Sequence, residues 1–259
     1  MVPYVREMAR LCAAQLAVLH CFDLVQGYNL AGRPDGTGDS ECSPVPYTAS
    51  AARLRDREDE RLQTFVREQF PDIKCRAIVE DGDPATVIHG VAQRDGIDLI
   101  MMPTRGFGTF RRLLLGSVTA KVLHDVSCAV FTGVHALDPT PAQFAGFRAL
   151  VCGIRLDEEA EAILGTARHF AQVSGARLAT VHITPTQTPE LSANIADPGR
   201  AGVASVVGDD VPEGIRLAAI EESADLVIVG RGHHRGAVSR LWSDLYRIVR
   251  ESPCPVLSV

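Results

Sequence analysis

The chain has 259 residues, 46% of them hydrophobic, with a formal net charge of −6 and a pI near 5.8. These values predict one or two globular domains and give no sign of a nucleic-acid or anionic-membrane partner; no apolar run reaches the roughly 18 residues of a membrane span. The seven cysteines are an odd number without a C-x-x-C pair, which argues against a disulfide framework or a zinc site and favours a reducing cytoplasm.

Hydrophobic periodicity predicts helices alternating with strands along both halves of the chain. In the first half, helices are predicted at 2–14, 47–70, 84–96 and 118–126, and strands at 16–22, 73–79, 97–102 and 128–134. In the second half, strands are predicted at 148–154, 177–183, 204–208, 225–229 and 255–259, and helices at 158–173, 212–223 and 239–250. This alternation implies a mostly parallel sheet with helices on both faces.

The loop between Pro103 and Ser117 is rich in glycine and arginine and leads directly into a predicted helix. Ser117 is the predicted N-cap of that helix. The first N–H groups of a helix are unpaired and carry a partial positive charge, and glycines let a ligand approach the main chain closely. The loop is therefore predicted to bind an anion.

The two halves of the chain are repeats of each other. LCAAQLAVLH at 11–20 matches VSGARLATVH at 173–182, and DLIMMPTRG at 98–106 matches DLVIVGRGH at 225–233. On this alignment the first repeat has no counterpart of 147–162 and so lacks a first strand. Two explanations stay open: Met1 is an internal methionine taken as the start, which we favour, or another chain or segment supplies the strand.

The loop sequence resembles the nucleotide-binding signature of the universal stress protein family: glycine, two residues, glycine, nine residues, then glycine with serine or threonine. Pro103 stands at the first position, Gly106 at the second, and Gly116 with Ser117 at the end, so only Pro103 departs from the pattern. Three further segments support the resemblance, namely Leu19-His20, Gly82-Asp83-Pro84-Ala85 and Asp98-Leu99-Ile100.

The resemblance implies an α/β fold of two tandem repeats, each an adenine nucleotide alpha hydrolase-like, Rossmann-like domain. Each domain would have a five-stranded parallel sheet with strand order 3-2-1-4-5. The implied boundaries are 1–134 for the first domain, which keeps the nucleotide motif, 135–146 for a linker, and 147–259 for a second domain with a degenerate motif. The last strands, in CAVFTGV and CPVLSV, would pair the domains within one chain or in a homodimer.

The resemblance also implies the ligand, which is ATP, with or without Mg²⁺. Gly106, Gly116, Ser117 and Val118 would hold ribose and phosphates, and the backbone of Cys21 would meet adenine. Pro103 and Arg105 complete the set of predicted site residues, because they lie within the motif and the arginine could reach a phosphate. No catalytic residue and no metal ligand is assigned.

The second repeat departs further from the signature, with Gly230, His233, Ser243 and Asp244 at the motif positions. The carboxylate of Asp244 would repel a phosphate, so this second site is predicted to be empty and the repeat to be a structural partner. His233 and His234 are adjacent and do not face one way, so no metal is predicted there. His20 and His182, at equivalent strand ends, are predicted to share a structural hydrogen bond.

The leading functional hypothesis is an ATP-binding stress-response regulator in which nucleotide in the first repeat shifts conformation or assembly. A slow ATPase is one alternative, although the sequence shows no Walker lysine, no HRD-type loop and no acidic cluster beside the glycine loop. A structural interaction module with no bound nucleotide is the other, suggested by Pro103 and by the missing first strand.

Overall fold

The computed structural model describes residues 1–22, 47–104, 115–133, 144–155, 159–184, 203–207, 210–231 and 238–259. The chain divides into two compact units. The C-terminal unit consists of Met1, Pro3–Glu7 and Ile97–Val259, and the N-terminal unit consists of Val2 and Met8–Gly96. The predicted linker at 135–146 falls within the C-terminal unit, and the predicted domain boundaries remain a prediction.

Helices and strands occur in the predicted order. The first part of the chain contains α1 (Val2–Leu11), β1 (Leu16–Phe22), α2 (Tyr47–Gln69), β2 (Cys75–Asp81) and α3 (Pro84–Asp95). The C-terminal unit continues with β3 (Leu99–Met102), α4 (Ser117–Asp125), β4 (Ala129–Thr132), β5 (Ala149–Ile154), α5 (Ala160–Ser174), β6 (Arg177–Thr184), β7 (Val203–Val207), α6 (Val211–Glu221), β8 (Leu226–Val229), α7 (Val238–Glu251) and β9 (Val256–Ser258). None of the helices in the described residues is long and apolar enough to span a membrane.

The C-terminal unit is built on a seven-stranded sheet in the order β3-β4-β9-β8-β5-β6-β7. Within it, the strands of the second repeat follow the order β7-β6-β5-β8-β9 and every neighbouring pair is parallel. The predicted order 3-2-1-4-5 is thus confirmed for this repeat. All residues of β5 and β8 are buried, as expected for central parallel strands covered on both faces.

The two repeats join through their last strands, as predicted. Strands β4 and β9 are antiparallel, with Phe131 opposite Leu257. Two buried hydroxyls reinforce the pairing: Thr132 Oγ1 donates to the Val256 carbonyl and Ser258 Oγ donates to the Val130 carbonyl, each at 3.2 Å. Strands β3 and β4 of the first repeat therefore form one continuous seven-stranded sheet with β5 to β9 of the second.

The first repeat contributes four strands in the described part of the chain. In the N-terminal unit, β1 and β2 form a parallel pair with Leu16 opposite Cys75. In the C-terminal unit, β3 pairs in parallel with β4 and ends the sheet. Every residue of β1 and β3 is partly exposed, whereas β8, the second-repeat counterpart of β3, is fully buried beside β5. No described strand occupies the place beside β1 or β3 that β5 occupies in the second repeat.

An aromatic cluster fills the core beside the join between repeats. Its ring-to-ring distances are 5.7 Å for Tyr4–Phe131, 4.5 Å for Tyr4–Phe144 and 5.2 Å for Phe147–Phe170. Phe131 is fully buried on β4, and Phe147 is 2% exposed just before β5. Burial of such rings is a major source of core stability.

Candidate functional site

The candidate site is the start of α4, where the helix begins at Ser117, one residue earlier than predicted. Gly116 is the N-cap, with the extended dihedral angles φ −62° and ψ 141°, and Ser117 is already the first helical residue. The Gly116 carbonyl accepts from the Ala120 N–H at 2.9 Å, which closes the first turn. The prediction that Ser117 is the N-cap is therefore wrong by one position, because glycine, not serine, takes the extended backbone that an N-cap requires.

The first turn of α4 keeps its backbone donors available. No side chain caps the helix, and the first turn contains no acidic residue. Across the described ranges, no acceptor contacts the backbone N–H groups of Ser117, Val118 or Thr119. These donors point out of a helix terminus that carries a partial positive charge, which is the arrangement that binds phosphate groups.

The end of β3 is tied to the start of α4 by two hydrogen bonds. Thr119 Oγ1 donates to the Pro103 carbonyl at 3.2 Å, and the Gly116 N–H donates to the carbonyl of the buried Thr104 at 2.9 Å. Pro103 is exposed and uses its carbonyl for this contact, a role that does not depend on the N–H it lacks. The strand end and the helix start thus form one fixed corner.

The other predicted site residues are placed as follows. Arg105 and Gly106 lie outside the described residues. The structure brings Pro103, Gly116, Ser117 and Val118 together in the C-terminal unit. Cys21 lies in the N-terminal unit, on β1 opposite Glu80.

The Cys21 thiol is held in its protonated form. Burial, together with the nearby carboxylates of Glu80 and Asp83, raises the pKa of Cys21 to about 11. The side chain is therefore uncharged near neutral pH.

We expect Cys21 to react slowly with iodoacetamide. A shift from 9.0 to about 11 lowers the thiolate fraction near pH 7.5 by about 100-fold. The unfolded chain ionises at the lower pKa, so the folded state loses stability as pH rises from about 9 to about 11. Mass spectrometry should show alkylation of Cys21 in the native protein rising about tenfold per pH unit up to this range, and immediate alkylation in urea. Equal rates in native and unfolded protein would contradict the assignment.

At the motif positions that the structure describes, the second repeat differs from the first. The repeat alignment pairs Ser117 with Asp244, yet α7 begins at Val238, so Asp244 lies inside a helix whose interior N–H groups are hydrogen-bonded. At the first motif position, a Cβ on Gly230 would lie 2.3 Å from Ile163 Cδ1, so this glycine is needed for packing against α5. His233 lies outside the described residues. These observations support the prediction that the second site is empty.

The strand-end histidines have different partners, contrary to the predicted shared bond. The His182 Nδ1–H donates to the Ile154 carbonyl at 3.1 Å, across the β5–β6 pair. His20 Nε2 instead lies 3.7 Å from the Glu58 carboxylate on α2. The difference follows from the strands, because His182 uses a carbonyl of β5 and β1 has no such neighbour among the described strands.

Two residues that the sequence reasoning missed contact the ends of α4. The Tyr246 hydroxyl accepts from the Leu115 N–H at 3.2 Å, just before the helix. The buried Arg231 guanidinium donates to the carbonyls of Val126 at 2.8 Å and Ser127 at 3.1 Å, just after it. The repeat alignment pairs Arg231 with Thr104, and an arginine directly after a buried strand was a signal that could have been noticed. Nothing in the sequence marks Tyr246.

The described residues contain no cluster of three or more His, Cys, Asp or Glu side chains suited to a metal ion. In this part of the chain, the chemistry of the candidate site is therefore that of backbone donors and a helix terminus.

Comparison with known proteins places the chain among universal stress proteins. The family model described as the universal stress protein family matches residues 5–132 and 191–259, one segment in each repeat. A universal stress protein of Methanothermobacter thermautotrophicus is 40% identical over 77 residues, which cover 30% of this chain and 49% of that protein, so the chain spans about half of that relative's length. A universal stress protein of Synechocystis is 32% identical over 125 residues, covering 48% of this chain and 80% of that protein.

Among solved structures, a universal stress protein from Archaeoglobus fulgidus superposes with a TM-score of 0.63 at 19% identity, covering 99% of this chain and 88% of that chain. At this identity the superposition shows the fold. The family model covers more than half of the sequence, and the parallel sheet has the family's strand order. The chain belongs to the universal stress protein family.

Proposed function

We propose that the chain is an adenine-nucleotide-binding stress-response regulator with one competent site, which takes ATP at the start of α4 in the first repeat. The observation that carries the proposal is the uncapped helix terminus. The N–H groups of Ser117, Val118 and Thr119 have no acceptor among the described residues, and they stand at the end of the family's nucleotide signature.

Different residues of the proposed site bind different parts of the ATP molecule. The backbone at Gly116, Ser117 and Val118 binds the phosphates, with the helix terminus favouring their negative charge. The resemblance to the family's signature assigns Cys21 to the adenine and Arg105 and Gly106 to the phosphates. Mg²⁺, where present, arrives on the ATP phosphates, since the described residues offer no metal cluster of their own.

The proposal favours binding without rapid turnover. Hydrolysis needs a group that positions or activates water beside the γ-phosphate. The first turn of α4 contains no acidic side chain, and the alternative of a slow ATPase would need such a group from elsewhere. Phosphate release above background that disappears when the site is blocked would favour that alternative.

Replacing Gly116 with aspartate should weaken ATP binding without harming the fold. The dihedral angles of Gly116 suit any N-cap residue, and an aspartate there accepts from the N–H groups of the first turn. The same carboxylate then occupies the phosphate donors and repels the ligand. Calorimetric titration should show ATP affinity at least ~10-fold weaker than in the wild type, a loss of about 1.4 kcal/mol or more, with a midpoint of unfolding no lower.

Gly116→Ala is the matched control, because alanine adds a side chain but cannot cap the helix. It should keep ATP affinity within about threefold of the wild type, which is under about 1 kcal/mol. Titration with GTP in place of ATP tests whether adenine is preferred. The proposal is overturned if the wild type does not bind ATP, or if wild type and Gly116→Asp bind it equally well.

A further inference from the structure

Both ends of α4 are held by side chains of the second repeat. At the start, the Leu115 N–H donates to the Tyr246 hydroxyl at 3.2 Å. At the end, the Arg231 guanidinium donates to the carbonyls of Val126, Ser127 and Cys128. Helix α4 is the helix of the proposed nucleotide site, so side chains of the second repeat hold the helix that carries the proposed site of the first.

The hydrogen bond of Tyr246 reaches the last part of the glycine loop. Leu115 is 6% exposed and directly precedes the N-cap Gly116. The neighbouring N–H of Gly116 donates to the carbonyl of Thr104, in the first repeat. The backbone that enters the helix is thus fixed by one acceptor from each repeat. Without the hydroxyl, the Leu115 N–H would lose its acceptor in a buried position, which is unfavourable.

Arg231 fixes the opposite end of the same helix. The residue is 7% exposed, and its backbone N–H donates to the Val259 carbonyl at 2.9 Å, so its main chain is anchored beside β9. The guanidinium donates to the carbonyl of the C-cap Val126 and to those of Ser127 and Cys128 just beyond the helix, and its charge opposes the negative end of the helix dipole. The guanidinium Nε has no hydrogen-bond partner among the described residues, so the side chain is held entirely through the carbonyls beyond α4 and not by a carboxylate.

We propose that the second repeat regulates nucleotide affinity in the first by holding α4 at both ends, with Tyr246 and Arg231 as positioning residues. We call the hydrogen bonds of these two side chains at the ends of α4 the grip. This inference rests on the proposed function. Helix α4 has nine residues, which makes it a rod about 13 Å long whose ends move together. Because coupling between sites is reciprocal, a nucleotide that orders the start of α4 also biases the helix α7 that carries Tyr246.

The repeat alignment shows which positions of the first repeat correspond to the contacts that the second repeat makes with α4. Arg231 stands at the position of Thr104, whose carbonyl in the first repeat fixes the N-cap of the nucleotide helix. In the second repeat, the side chain at this position instead donates a hydrogen bond to the Val126 carbonyl at the end of α4. Helix α7 also includes Asp244, the position that aligns with Ser117 at the end of the phosphate loop in the first repeat. The second repeat therefore keeps the fold and contacts the helix of the proposed nucleotide site.

Tyr246→Phe tests the grip, because it removes the hydroxyl and keeps the ring. In the full chain we expect ATP to bind about 5-fold more weakly by calorimetry, or about 1 kcal/mol. The amide of Leu115 should exchange hydrogen at least ~10-fold faster, since its acceptor is lost. Ser258→Ala is the matched control: it removes a buried hydrogen bond between the repeats, to the Val130 carbonyl, without touching α4. It should leave both ATP affinity and Leu115 exchange unchanged.

The outcomes separate this inference from the proposed function. If Gly116→Asp binds ATP at least ~10-fold more weakly than the wild type while Tyr246→Phe binds it as tightly as the wild type, the grip does not regulate affinity and the inference fails alone. If the wild type does not bind ATP, the proposed function fails and the regulatory inference fails with it. Weaker binding in both Tyr246→Phe and Ser258→Ala would also overturn it, because a general loosening of the join would then explain the loss.

Discussion

Replacing Arg231 with methionine is expected to lower the free energy of unfolding by about 3 kcal/mol, because buried carbonyl groups then lose a charged donor. The guanidinium is 7% exposed and serves the carbonyls of Val126, Ser127 and Cys128. Methionine fills a similar volume, so the loss reports on the hydrogen bonds and not on a cavity. Urea titration followed by circular dichroism should show the loss, and the midpoint of thermal unfolding should fall by ~6–12 °C.

Two matched variants locate the cause of this loss. Arg231→Lys keeps a cation at the end of α4 but cannot serve several carbonyls in a fork, so it should recover part of the stability. Arg168→Met makes the same change at an exposed arginine whose partner is Glu161 on the same helix, and should cost under about 1 kcal/mol. If Arg231→Met and Arg168→Met lose equal stability, the carbonyl contacts of Arg231 contribute nothing to the fold.

Local patterns were enough to predict most of the fold. The apolar runs of β5 and β8 are fully buried, and such runs are typical of central parallel strands. The repeat alignment predicted four strands in the first repeat, and the apolar last strands predicted the β4–β9 pairing; the structure shows both. These features depend on hydrophobic periodicity and on the similarity between the two repeats, and both can be read directly from the sequence.

The sequence predicted the N-cap of α4 at Ser117, one residue after its actual position at Gly116. Gly116 and Ser117 are both common at N-caps, so the sequence alone does not say which of them takes the extended backbone. The difference is chemical: a serine N-cap would accept from the first turn with its own hydroxyl, whereas a glycine N-cap leaves those donors for a ligand. The structure therefore corrects the N-cap residue, while the anion site itself remains a proposal.

The contacts of Arg231 and Tyr246 could not be predicted from local patterns. Arg231 is 105 residues from Val126, and Tyr246 is 131 residues from Leu115. Contacts at such separations depend on how β4 and β9 place the two repeats side by side in one sheet. A buried arginine also contradicts the usual preference of that residue for the surface. Sequence reasoning therefore assigned the second repeat a passive structural role.

Replacing Phe131 with alanine is expected to cost about 4 kcal/mol, since the ring is fully buried and its removal leaves a cavity that the core fills only in part. Phe131 lies opposite Leu257 in the join between repeats and 5.7 Å from the ring of Tyr4. The loss should appear in urea titration, and the amides of Val130 and Thr132 should exchange hydrogen faster because the β4–β9 pairing loosens.

Phe65→Ala makes the same substitution at a ring that is 40% exposed on α2, so it should cost only about 1 kcal/mol. A comparable loss in both variants would mean that the join between the repeats is no better packed than this surface. A large loss confined to Phe131→Ala would instead show that the join is part of the core. A well-packed join is also what the proposed grip on α4 requires, because Tyr246 and Arg231 hold the helix in register only if the strands that carry the two repeats stay paired.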